Sequence, residues 1–200
     1  MVILLNGNML KVNFKNMEKN KIIIFVILVS LGLTFRLLPH PWNFTPIGAI
    51  ALFSGVYLGR KYAFVAPILA MFLSDIFLGF YNWKLMLPVY GSFLLCVILG
   101  FWLKKHKQWY TVLGSSLFCS VLFFLITNFA IWAFTPWYAQ TFSGIIQCYI
   151  MAIPFFKNTL LGDLFYVTIF FGVYEIVKVW IRKRLTINSF FISPNLKPAF

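Results

Sequence analysis

Long apolar blocks without a charged residue, separated by short basic clusters, constrain this chain more than any other feature. A run of roughly 18 or more such residues reads as a helix crossing a bilayer. Only 10% of the residues are charged and 62% are apolar, against roughly a quarter charged in a soluble domain. A transmembrane barrel would alternate apolar and polar residues in segments of about ten, and no such alternation occurs. The fold class expected is therefore an all-α membrane protein.

Six transmembrane helices are predicted, over residues 22–38, 44–59 (short), 62–81, 85–103, 110–134 and 159–181, forming one domain over 21–181. Residues 135–156 also lack charge and could form a seventh span. Charge placement argues against it. With six spans, all of the 17 lysines and arginines except Arg36, Lys84 and Lys157 fall on one side, the cytoplasmic side by the positive-inside rule. A seventh span would move Lys178, Arg182, Lys183, Arg184 and Lys197 across. Residues 135–156, with Pro136, Gln140, Gly144, Gln147 and Pro154, are therefore expected as a re-entrant or interfacial segment on the outer side. Both termini are then cytoplasmic, and the location expected is a bacterial inner membrane. Residues 1–20 read as a disordered basic tail and 182–200 as a basic cytoplasmic tail. Met17 opens a plausible natural start, which makes residues 1–16 a candidate start-site artefact. The basic entry to the first block mimics a signal peptide, but no small-residue cleavage site follows it.

The net charge of +13 orients helices rather than binding nucleic acid, because no stretch is long enough for a soluble nucleic-acid module. Cys96, Cys119 and Cys148 lie in apolar surroundings without CxxC pairing, and His40 and His106 lack ligand spacing, so no metal and no cofactor is expected. The chain has no P-loop, no Ser/His/Asp set and no HExxH. Gly162-Asp163 is half of the GxGD motif of intramembrane aspartyl proteases, but Leu160 stands at the first glycine. No catalytic residue is assigned.

Of the four acidic residues, Glu18 lies in the tail and Glu175 is one turn from Lys178, a structural pair. Asp75 and Asp163 lie inside spans, where a carboxylate costs roughly 2.5–3.5 kcal/mol. The topology places both toward the outer side, together with Arg36, His40, Trp42, Asn43, Trp83, Asn128, Trp137 and Lys157. These ten residues are the candidate ligand site, with the tryptophans as stacking surface. The competing reading is that Asp75 and Asp163 pair with Arg36 and Lys157 and merely hold helices together, and that the tryptophans form an aromatic belt. Gly55/Gly59 and Ala66/Ala70 have the small-xxx-small spacing of close helix contacts, which suits partner docking or internal packing.

The runs RLLPHPWNFTPIGAIALFSGVYLGRKYAFVAPILAMFLSDIFLG (36–79) and IPFFKNTLLGDLFY (153–166) resemble an uncharacterised family of bacterial transport proteins over roughly residues 34–181. More distantly, the proline-bearing loop, short second helix, Gly59-Arg60-Lys61 turn and Ser74-Asp75 are similar to the S components of energy-coupling factor (ECF) transporters. The resemblance implies a six-helix protein that captures a small molecule, vitamin-like or another micronutrient, from outside. It would pass that molecule inward with a T component and two ATPase subunits. S components often carry Ala-xxx-Ala in the first helix; here Ser30-xxx-Thr34 is the nearest match. The readings left beside this one are a structural or regulatory subunit of a membrane complex, a stand-alone secondary transporter and a membrane enzyme.

Overall fold

A computed structural model describes the backbone of residues 2–5, 8–11 and 14–192 and the side chains of 18–181 and 183. Six α-helices make up the body: α1 (Phe14–Leu37), α2 (Ile47–Tyr57), α3 (Arg60–Leu78), α4 (Trp83–Leu103), α5 (Trp109–Phe134) and α6 (Phe142–Ile192). Five are long and apolar enough to cross a membrane, and α2 is a shorter apolar helix. This is the architecture of a multi-pass membrane protein.

The helix ends follow from local chemistry. Pro39, Pro41 and Pro46 fall between α1 and α2, and Pro46 is the residue that starts α2. Gly59 at φ +78° turns the chain from α2 into α3, and Gly79 at φ +92° ends α3; both angles favour glycine. Asn82 accepts from the Lys84 amide to open α4, while Gln108 and Thr111 cap α5 reciprocally.

α2 is the hub. Every residue from Ile47 to Val56 is buried, and α2 packs on all five other helices. An 11-residue helix is about 16 Å long, too short to cross a bilayer core of about 30 Å. Close packing depends on small residues. A Cβ at Gly55 would lie 2.4 Å from the Val97 carbonyl oxygen and 2.8 Å from the Gly100 Cα, so α2 and α4 touch backbone to backbone. A Cβ at Gly32 would lie 2.8 Å from the Ala70 Cβ, bringing α1 against α3. Gly55, Ala66 and Ala70 are thus consumed by internal packing, with Ala66 and Ala70 fully buried, and Gly59 serves the α2–α3 turn. The small-residue spacing at these positions marks contacts within the bundle.

One expectation is corrected. Residues 142–156 are regular helix rather than the irregular backbone of a re-entrant segment. They are the opening turns of α6, which continues without a break through Pro154 to Ile192. The 51 residues of α6 span about 75 Å, and their first part runs antiparallel to α5. Cys148 Sγ reaches the Asn128 carbonyl oxygen, and Tyr149 Oη donates to the Leu125 carbonyl oxygen at 2.8 Å. The Phe124 ring lies 4.6 Å from that of Phe156. The polar residues read as re-entrant instead build the α5–α6 turn. Gln140 Nε2 donates to the Trp132 carbonyl, Trp132 Nε1 donates to the Ala139 carbonyl at 3.0 Å, and Thr141 Oγ1 accepts from the Gly144 amide. Residues 182–192 of the basic C-terminal segment continue α6 as helix. Within the first twenty residues, Val2–Leu5 and Asn8–Lys11 pair as antiparallel strands and α1 starts at Phe14. Residues 193–200 lie outside the described residues.

Candidate functional site

The α1–α2 loop and the α3–α4 turn meet at one end of the bundle and roof a cavity of about 570 Å³. Its wall carries Arg36, from the last turn of α1, and its floor carries Asp163, from α6. Met71, Leu78, Val89, Phe93 and Phe123 supply apolar surface between them. A side pocket of about 220 Å³ shares Asn43, Val89, Phe123 and Thr159 with it and runs toward Thr127 and Asn128 between α5 and α6.

Arg36 is held by α3. Its Nη1 donates to Asp75 Oδ1 at 2.8 Å, to Ser74 Oγ at 2.6 Å and to the Met71 carbonyl oxygen at 3.3 Å. Asp75 is 1% exposed, and its other oxygen, Oδ2, accepts from Tyr90 Oη at 2.6 Å. Both carboxylate oxygens are therefore occupied. Arg36 is not: a guanidinium has five N–H donors, and among the described residues nothing accepts from Nε or Nη2. Tyr81, in the α3–α4 turn, also lines the cavity. Its phenol is pushed up to about 12, first by burial and then by the Asp75 charge, with Arg36 opposing, so it stays a neutral hydroxyl.

Asp163 is 5% exposed. Its Oδ2 accepts from Ser120 Oγ of α5 at 2.7 Å, and its Oδ1 has no hydrogen-bond partner among the described residues. The carboxylate sits against the first turn of α2. A Cβ added at Gly48 would lie 2.3 Å from Asp163 Oδ1, so only glycine admits the carboxylate there. The orphan amides and dipole at a helix N-terminus favour negative charge. No described basic side chain pairs with Asp163. Among the described residues no group of three metal-ligating side chains occurs.

The chain belongs to DUF6580, a family of unknown function. The family model matches residues 15–185, which contain the whole of the cavity. No curated protein and no solved structure matches the chain.

The structure divides the ten expected site residues of this DUF6580 protein. Arg36, His40, Trp42, Asn43 and Asp163 line the cavity. His40 Nδ1 lies 2.6 Å from the Leu38 carbonyl oxygen, and Trp42, 77% exposed, stands at the mouth. Asn128 lines only the side pocket, with its amide nitrogen on the Phe124 carbonyl. Asp75 stands behind Arg36, with which it pairs, rather than in the cavity, whereas Asp163 pairs with no described basic side chain. Lys157 is exposed, lines neither cavity and pairs with neither acid. Trp83 and Trp137 are exposed at 64% and 70% and stack on nothing in the cavity. Sequence reasoning missed Gly48, Ser120 and Tyr90. Ser120 was a polar residue in an apolar run, a weak signal; Gly48 and Tyr90 gave none.

Proposed function

We propose that this DUF6580 protein is a substrate-binding membrane subunit that takes up a small molecule, vitamin-like or another micronutrient. The cavity carries the reading. Its volume lies in the range of roughly 300–1,000 Å³ common to small-molecule sites, and like them it is mostly apolar with a few placed polar groups. The opposite end of the bundle bears Arg60 and Lys61 in the α2–α3 turn and Lys104, Lys105 and Lys107 between α4 and α5. By the positive-inside rule that end faces the cytoplasm, so the cavity opens outward and both termini are cytoplasmic, in a bacterial inner membrane. The proline-bearing loop, the short buried α2 and Ser74-Asp75 behind Arg36 are the features that favour an S-component-like role. With no nucleotide-binding motif, the engine would be separate subunits, a T component and two ATPases.

The test is mass spectrometry of small molecules extracted from the purified protein, compared with Val89→Trp, which fills the cavity from its wall. The expected result is a compound abundant in the wild type and absent from a Val89→Trp protein of unchanged melting temperature. If nothing co-purifies and no metabolite in a broad panel raises the melting temperature, the binding reading falls and a structural subunit replaces it.

A further inference from the structure

Resting on the binding reading above, the geometry points to a substrate class: we infer that the cavity takes a small amino-carboxylate zwitterion, its carboxylate on Arg36 and its ammonium on Asp163. Each half of the inference comes from an unfilled valence. Arg36 is fixed through Nη1 alone, which leaves Nε and Nη2 as a fork of donors on the cavity wall. A planar fork of this kind matches a carboxylate in two parallel hydrogen bonds. The Arg36–Asp75 pair is neutral as a unit, so the wall attracts an anionic group mainly through these oriented donors.

Asp163 is the complementary case. It is nearly buried, receives one hydroxyl from Ser120 and has no basic partner. A buried acid without a partner is costly and is retained where something else supplies the counter-charge. The α2 N-terminus at Gly48 supplies only a partial charge. The remaining oxygen, Oδ1, lies against Gly48, itself a cavity residue, and accepts from no described donor, so it is left for a ligand ammonium. His40 and Arg36 are the basic groups lining the cavity, and both belong to the mouth and wall; Lys157 and Lys84 are not among its residues. The floor therefore offers an acceptor and the wall offers donors, with Met71, Phe93 and Phe123 between them for an apolar body.

The experiment uses the full chain in lipid nanodiscs, washed free of bound material, and isothermal titration calorimetry with two probe sets. One is the ω-aminocarboxylate series from glycine to aminooctanoate, which acts as a ruler between the two groups. The other is the protein amino acids, each as the free form, the N-acetyl derivative and the α-amide. At least one free zwitterion should bind, with N-acetylation and amidation each weakening it about tenfold or more, the loss of one charge-assisted contact. In Asp163→Asn the N-acetyl penalty should vanish and the amide penalty should remain. The comparison of derivatives on the wild type needs no variant, so a misfolded Asp163→Asn leaves the test intact. Binding of N-acetyl forms as tight as that of free zwitterions, or no binding by either set, overturns the inference. A co-purifying compound without an amine, lost in Val89→Trp, would overturn it while leaving the binding reading standing.

Discussion

The two ends of α2 meet ionised groups in opposite ways. At its C-terminal end, Tyr57 donates to Glu175 Oε1 at 2.9 Å, Lys107 Nζ donates to the same oxygen and to Tyr57 Oη, and Lys178 lies 3.4 Å from Oε2. The rings of Phe53, Tyr57, Phe171 and Tyr174 pack beneath, Tyr57 and Tyr174 at 4.0 Å. The carboxylate is saturated and the space is filled. At its N-terminal end, Asp163 has one hydroxyl, an empty second oxygen and a cavity in front of it. The difference separates a fastening from a site. An ion pair whose groups satisfy each other binds helices; a buried charge left short of partners, facing open volume, is a place for a ligand. Asp75 shows that depth alone does not distinguish them, since it is more buried than Asp163 and yet fully satisfied.

Three single substitutions and one double variant test this contrast. Asp75→Ala carries the largest expected cost, about 3–5 kcal/mol, because it strands the Arg36 guanidinium. Replacing both partners, Arg36→Met with Asp75→Leu, should recover most of that loss. Unfolding in mixed micelles measures both, and a cost below about 1 kcal/mol for the single variant would mean that the pair fastens nothing. Glu175→Ala should cost at most about 1 kcal/mol by the same assay, since its side chain is 39% exposed and solvent screens the cluster. Asp163→Asn should change stability least, by roughly 0.5 kcal/mol or less in either direction, because removing an unpaired buried charge offsets the weakened Ser120 contact. A loss as large as that at Asp75 would make Asp163 a fastening too, and the contrast would collapse.

Much of the scaffold was legible before any coordinates. Uncharged apolar runs are long-range signals, and helix existence follows from them together with proline and glycine punctuation; α3, α4 and α5 lie within a few residues of expectation. Residues 135–156 were misread because Gln140, Thr141 and Pro154 look like breaks in a helix. Their actual roles, turn closure, capping and a tolerated interior proline, depend on α5 lying alongside. The small-residue motifs were legible as close contacts, but not as contacts with which helix.

The sequence by itself determined that the chain is a helical bundle with basic turns gathered at one end and its buried acids toward the other, because charge and apolar length are properties of segments. Only the tertiary structure decided which acid is free. Asp75 and Asp163 are the same residue in similar apolar surroundings, and what separates them comes from other helices. Asp75 receives Arg36 from α1 and Tyr90 from α4; Asp163 receives Ser120 from α5 and faces Gly48 of α2. Hydrogen-bond satisfaction is a property of neighbours in space, set by how the helices pack, and no pattern along one helix encodes it.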